Sequence, residues 1–472
     1  MNLLFVLCFV FFIRVHGQQA GTQTTETHPS LTWQKCTKSA GCVTQSQGKI
    51  VLDANRRWIH SASGYTNCYT GQKWDPRICP DPQTCAKNCA IDGADYSGTY
   101  GVSTSGNSIT LKYVKESLDT RDNYGSRVFL LANDSIYQIF KLKNQEFTFD
   151  VDASKVPCEL NGALYFTEMA ADGGMSRYPG NKAGAKYGTG YCSARCPKDL
   201  KFINGEVYGL FRYHISLLKK RFQANLLGWT GSSTDPNSGT GLYGACCNEV
   251  AIWEANSVSA VYTSRPCNVT GQTRCSGSDC SSGYCDAVGC DFNSYRMGNR
   301  AFYGEGRTVD TTKKLTVITR FITADGTSTG SLSEIRRIYV QDGKVIQNSK
   351  TNITGMASYD SVSEPFCAAQ KAAFGDPNVF TSKGGLSSIS NALDKGMVLV
   401  MSIWQDYETR MLWLDGTYHL DGSGYGPGDY RGTCPSYGGT NPPGGIEPDG
   451  GPFPVQFSNI RFGEIGSTVT GV

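Results

Sequence analysis

Six short runs rich in β-branched, aliphatic and aromatic residues are spaced along the chain, at 49–52, 127–131, 146–152, 314–319, 397–401 and 454–457. Each is too short for a packed helix and has the length of a strand. Turn formers separate them in abundance, with 55 glycines and 18 prolines in 472 residues. Strands of this kind joined by turn-rich segments predict an all-β fold, an antiparallel sandwich with long loops. The length would accommodate two or three average domains. No compositional break divides residues 18–472, so one domain is expected there.

Residues 1–17 read as a secretory signal, an apolar run over 3–13 followed by Val15-His16-Gly17, although the usual basic start is absent. No other stretch approaches the ~18–20 apolar residues of a membrane-spanning helix. Of the 19 cysteines, Cys8 falls in the signal and the remaining 18 are even in number, as in a paired secreted framework. Zinc is the rival reading of a spacing such as Cys192-x3-Cys196, and an oxidising export route argues against it. Sequons at Asn133, Asn268 and Asn352 fit glycans on a secreted surface. The run Gly239-Thr240-Gly241-Leu242-Tyr243-Gly244 spells the dinucleotide fingerprint, but it leads into a strand rather than opening a helix. No cofactor and no metal are expected.

The chemistry is concentrated in Glu249-Val250-Ala251-Ile252-Trp253-Glu254-Ala255-Asn256, introduced by Cys246-Cys247. Two carboxylates with a tryptophan between them in a strand-like run suggest glycoside hydrolysis, in which one carboxylic acid protonates the leaving oxygen and one carboxylate attacks or guides water. Two Glu in a strand are more often only solvated side chains. A regular strand also sends positions 249 and 254 to opposite faces, so their convergence requires a bulge or bend.

The run from Cys246 to Ser257, C-C-N-E-V-A-I-W-E-A-N-S, resembles C-C-x-E-M-D-I-W-E-A-N-S of family seven of the glycoside hydrolases, the cellobiohydrolases and endoglucanases that cut β-1,4-glucan with retention. The resemblance runs from Thr27-His28-Pro29 through Asn161-Gly162-Ala163-Leu164-Tyr165-Phe166, Ala185-Lys186-Tyr187-Gly188 and Met411-Leu412-Trp413-Leu414-Asp415 to Phe457-Ser458-Asn459. It implies a curved, jelly-roll, concanavalin-like sandwich whose loops form a partly open substrate tunnel. It makes Glu249 the nucleophile and Glu254 the acid/base, with Trp58, Trp404 and Trp413 as sugar platforms and Asn161, Tyr165, Lys201, Arg296 and Arg431 as polar grips. It also implies the pairings Cys36–Cys42, Cys68–Cys89, Cys79–Cys85, Cys158–Cys434, Cys192–Cys247, Cys196–Cys246, Cys267–Cys285, Cys275–Cys280 and Cys290–Cys367. A tenth bridge of the family is absent at both ends, where Gly21 and Ala90 stand.

Departures from the family pattern gather near the chemistry. The middle Asp of the motif, which orients the nucleophile, is Ala251; an Asp-Ser pair is Ser193-Ala194, a further Asp is Ala170, a His is Arg265, and the first Asp of Trp-Asp-Asp is Gln405. An outer platform is Arg56, and Val288 replaces a product-site Asp. The stretches 177–191 and 228–244 resemble cellobiohydrolase loops, whereas 280–285 is shorter. A partly open tunnel with a weakened product site is expected, and neither a Ser/Thr/Pro-rich linker nor a carbohydrate-binding module follows the last strand.

Residues 207–223, V-Y-G-L-F-R-Y-H-I-S-L-L-K-K-R-F-Q, interrupt an otherwise matching F-I-N-G-x-A-N segment. Every Val codon begins with GT, one Gln codon ends in AG and Phe222 supplies pyrimidines, which is the mark of a translated intron; a short amphipathic helix is the alternative. Without this basic insertion and Arg14 the formal net charge of +3 turns negative, so the basic balance is no sign of nucleic-acid binding. The chain is thus expected to be a secreted, monomeric retaining cellulase of cellobiohydrolase type acting on cellulose or another β-1,4-glucan. An endoglucanase and a catalytically impaired glucan-binding protein are the alternatives.

Overall fold

The computed structural model describes residues 17–116, 122–205, 221–235, 237–419, 426–435 and 451–472. All six strand-like runs form strands, several longer than the sequence suggested: Lys49–Leu52, Ser126–Asn133, Gln145–Asp152, Leu315–Thr323, Met397–Gln405 and Pro454–Glu464. They belong to two large sheets. An outer sheet of ten strands is built around Pro454–Glu464, Gln145–Asp152, Leu315–Thr323 and Leu332–Gln341. An inner sheet of nine strands is centred on Met397–Gln405, Leu160–Thr167 and Glu249–Ala255, followed by Ala260–Arg265 and Cys290–Asn293. The pairing is antiparallel throughout the inner sheet; in the outer sheet Trp33–Thr37 lies parallel to Pro454–Glu464. The helices are few, with Glu364–Phe374 and Gly385–Lys395 the longest described.

Side chains alternate between the faces of the inner strands, and both faces are apolar. Val128, Leu130, Leu164, Phe166, Leu399 and Met401 join Phe147, Phe149, Val317 and Phe457 of the outer sheet in the core between the layers. Their neighbours Phe129, Leu131, Ala163, Tyr165, Val398 and Val400 face the other way, where Met169, Ala185, Tyr191 and Leu200 of the long loops cover them. Those loops leave the middle of this face open as a cleft.

All nine expected disulfides are present with the pairing that the resemblance implied. Gly21 follows the strand Gln19–Ala20, which runs parallel to Cys89–Ile91 with Gln19 opposite Ala90, and its amide donates to the Ile91 carbonyl at 2.8 Å, so the two positions of the missing tenth bridge lie on neighbouring segments. The three sequon asparagines are exposed. The signal expected over 1–17 lies outside the described residues except for Gly17, as does 207–220 of the insertion. Its end, within Arg221–Ala224, pairs antiparallel with Phe202–Gly205. The Gly239–Gly244 run is split between two short strands, and no helix follows it.

Candidate active site

The carboxylate pair converges because the strand Glu249–Ala255 is bulged. Against Leu160–Thr167, Leu164 pairs with Trp253 but Tyr165 pairs with Ala251, so Ile252 is an extra residue. The ladder with Ala260–Arg265 is displaced at the same place, between Ala251 and Glu254. One added residue reverses the alternation. Val250, Ile252, Trp253 and Ala255 therefore point into the core, whereas Ala251 belongs to the cleft-side cluster and Glu249 and Glu254 flank it on that face. Arg337, buried on the outer sheet, donates its Nη2 to the carbonyl of Ile252 and so satisfies the backbone group that the bulge removes from the ladder.

A single guanidinium joins the two carboxylates. Arg265 lies directly across the ladder from Glu249. Its Nη1 donates to Glu249 Oε1 at 2.8 Å and its Nη2 to Glu254 Oε2 at 2.7 Å. All three residues are nearly buried, at 2 %, 4 % and 4 % exposure. Burial opposes the charge of Arg265, but Glu254 and Glu249 outweigh it and hold its pKa above the ordinary arginine range. The second oxygen of Glu254 faces Arg195 at 3.7 Å and accepts from Asn161 Nδ2 at 3.4 Å. Tyr165 and Tyr191 share a hydroxyl contact of 3.0 Å, and the Arg127 guanidinium lies 3.6 Å over the Tyr191 ring while pairing with Asp53.

Three cavities adjoin along the cleft. The central one, about 340 Å³, is floored by Glu249 and Glu254 and walled by Tyr165, Arg195 and Trp404. Trp404 and Gln405 also border a cavity of about 280 Å³ that reaches Lys201 and Tyr407. On the opposite side Arg195 and Asp406 border a third, about 290 Å³, with Arg265, Val288, Trp413 and Arg431. The rings of Trp404 and Trp413 are 6.2 Å apart, and Arg195 lies 4.5 Å over Trp413. A larger cavity, about 610 Å³, between Lys155, Arg300 and Arg307, is lined by neither Glu249 nor Glu254 and by no tryptophan.

The structure thus gathers Glu249, Glu254, Tyr165, Lys201, Trp404, Trp413 and Arg431 along one cleft, and three expected sugar contacts stand elsewhere or are otherwise engaged. Trp58 lines none of these three cavities; it is exposed, stacked 4.0 Å from His60, with its Nε1 donating to Asn67. Asn161 is fully buried and holds Glu254 and the Ala255 amide, so it supports the carboxylate rather than facing the cavity. Arg296 is committed to Asp291, Asp376 and the Gly428 carbonyl. Burial pushes the Lys201 ammonium down to about 8, and its Nζ donates to the Asn55 carbonyl at 2.8 Å. Burial and the neighbouring Arg296 push Arg431 down to about 10.

Arg195 is the cleft residue that sequence reasoning missed. The signal was available, since Cys192 and Cys196 bridge to Cys247 and Cys246, just ahead of Glu249. That bracket must carry residues 193–195 to the carboxylates. Among described residues, cysteine sulfurs close enough to share an ion, such as Cys196, Cys246 and Cys285, belong to disulfides.

The model of glycosyl hydrolase family 7 matches residues 20–469. A family 7 cellobiohydrolase from Daphnia pulex is 47% identical, the match covering 96% of this chain and 100% of that one at a TM-score of 0.87. A cellobiohydrolase from Melanocarpus albomyces, solved with cellotetraose, is 41% identical over 96% of this chain and 100% of its own, at 0.84. An endocellulase from Humicola insolens is 34% identical over the same shares, at 0.74. With a family match over nearly its whole length, on a two-sheet fold that carries the bulged carboxylate strand, this chain belongs to glycosyl hydrolase family 7.

Proposed function

We propose that the protein is a secreted, monomeric cellulase that cleaves β-1,4-glucosidic bonds with retention and releases cellobiose from chain ends. The observation that carries this reading is the bulge at Ile252, which turns Glu249 and Glu254 to one face at the floor of a cavity walled by Trp404. Sugar rings present apolar faces that stack on indoles, so Trp404 and Trp413 suit successive glucosyl units. In the first step Glu249 attacks the anomeric carbon as the bond to the leaving oxygen breaks, and that oxygen takes the proton of Glu254. In the second step water attacks the same carbon, gives its proton to Glu254 and releases Glu249. Glu249→Gln is expected to abolish release of cellobiose while leaving the melting temperature and tryptophan fluorescence near wild type; a wild-type rate would overturn the nucleophile assignment. The similarity to cellobiohydrolases and the long segments around 177–191 and 228–244 favour chain-end action. A loss of viscosity of soluble cellulose that outruns the appearance of reducing ends would instead mark an endoglucanase.

One observation favours a second reading, a glucan-binding protein of impaired catalysis. Arginine donates and cannot accept, so a protonated Glu254 must turn its O–H away from both Arg265 and Arg195. A chromogenic lactoside separates the readings: turnover that disappears in Glu254→Gln excludes the pure binder, and tight oligosaccharide binding without turnover excludes the enzyme.

A further inference from the structure

We propose that Arg265 is a positioning residue of the reaction, a shared counter-ion that stays hydrogen-bonded to the single negative charge as it passes from Glu249 to Glu254 and back. The inference rests on the reading of those two residues as nucleophile and acid/base. In the first step Glu249 loses its charge on forming the ester while Glu254, having given up its proton, gains one; the second step reverses both changes. Only a group in contact with both can favour each transfer without moving. Arg265 has that geometry, with one Nη on each carboxylate at 2.8 and 2.7 Å and a planar fork that fixes their separation. It reaches them from the neighbouring strand, across from Glu249, and Glu249, Ala251 and Glu254 share one face. Position 251 brings only a methyl group to this face, and Asp291, whose charge also acts with that of Arg265, is paired with Arg296 instead of the fork. The Arg265 Nε is buried without a partner, so the side chain is held by the two carboxylates rather than by a wider network.

The test is the rate of each step in Arg265→Gln and Arg265→Lys. Aryl cellobiosides with a dinitrophenyl leaving group need little acid assistance, so kcat reports release of the glycosyl-enzyme, whereas a poor phenolic leaving group makes formation of that intermediate limiting. Both kcat values are expected to fall by a similar factor, about 100-fold, with KM changed less than about threefold. Lysine, a point charge without the fork, should recover little of the loss. A fall in only one step, an effect on KM alone, or wild-type behaviour of the glutamine variant would overturn the proposal. Should the single variants not fold, the pair Ala251→Asp with Arg265→His supplies a carboxylate between Glu249 and Glu254 in place of the fork; equal activity of that pair and wild type in both steps would likewise overturn it, and a deficit in both steps would support it. Glu249→Gln serves as the control: if it remains active, the assignment of the reacting pair fails and the role of Arg265 falls with it, whereas an inactive Glu249→Gln beside wild-type behaviour of Arg265→Gln overturns the role of Arg265 alone.

Discussion

Asp415 shows how a single carboxyl supports the cleft without touching a sugar. It is fully buried at the end of the Leu412–Asp415 turn, next to Trp413. Its Oδ2 accepts from Asn256 Nδ2 at 2.6 Å and from the Glu159 amide at 2.9 Å, and its Oδ1 has no partner. Burial is the main cause that raises its pKa from 3.8 to about 7, against the two hydrogen bonds. A carboxyl whose folded pKa is raised stabilises the fold fully below its unfolded value, and that contribution disappears as pH rises towards the folded one. Between pH 4 and pH 7 the loss amounts to a few kcal/mol, since each pH unit between the two pKa values is worth about 1.4 kcal/mol. Asp415→Asn should therefore have a flatter melting temperature than wild type over this range, as read by calorimetry; parallel curves for the two proteins would show that Asp415 is ionised throughout. Motif matching identified Asp415 as part of a family segment, but not this role, because the partners come from positions 159 and 256.

At the scale of elements, the hairpin of Phe202–Gly205 and Arg221–Ala224 bears on the insertion. Phe202 pairs with Ala224, and both are buried. Without 207–223 these two partners would be joined by residues 203–206 alone, a four-residue loop of a kind common in hairpins. The same framework is therefore compatible with the shorter segment, and ordering the longer one costs roughly 1–2 kcal/mol of backbone entropy per residue unless it packs. Peptide mapping of the protein from its native source is expected to yield a fragment spanning Gly205-Glu206-Ala224-Asn225; a fragment containing Tyr213-His214-Ile215-Ser216-Leu217-Leu218-Lys219 would show that the insertion is translated and retained. The strands themselves were legible from local composition, since all six runs form strands. The bulge was legible only as a requirement, because two glutamates five positions apart must converge to do chemistry. Its exact place at Ile252 was not, since it depends on the ladders with two neighbouring strands and on Arg337 from the other sheet.

For the whole molecule the disulfide framework ties distant parts of the chain to the cleft. Composition established only that the cysteines are even in number once Cys8 is set aside; the pairing came from the resemblance, because no spacing rule selects one connectivity among so many. The bridge Cys158–Cys434 closes the longest separation, 276 residues. It holds the segment 426–435, whose Arg431 carbonyl accepts from Ser259 Oγ at 2.8 Å and from Asn293 Nδ2 at 3.0 Å while its side chain borders the cavity beyond Arg265. Constraining so long a loop in the unfolded chain is worth about 2–5 kcal/mol. The double substitution Cys158→Ser with Cys434→Ser should lower stability by that order in chemical denaturation. It should also loosen the Arg431 side of the cleft more than the carboxylate floor, which the bridges Cys192–Cys247 and Cys196–Cys246 secure independently. Inhibition by cellobiose is then expected to weaken several-fold while kcat on an activated aryl cellobioside stays within about twofold; unchanged cellobiose inhibition in the folded variant would show that the Arg431 segment is held by its own hydrogen bonds and not by the bridge.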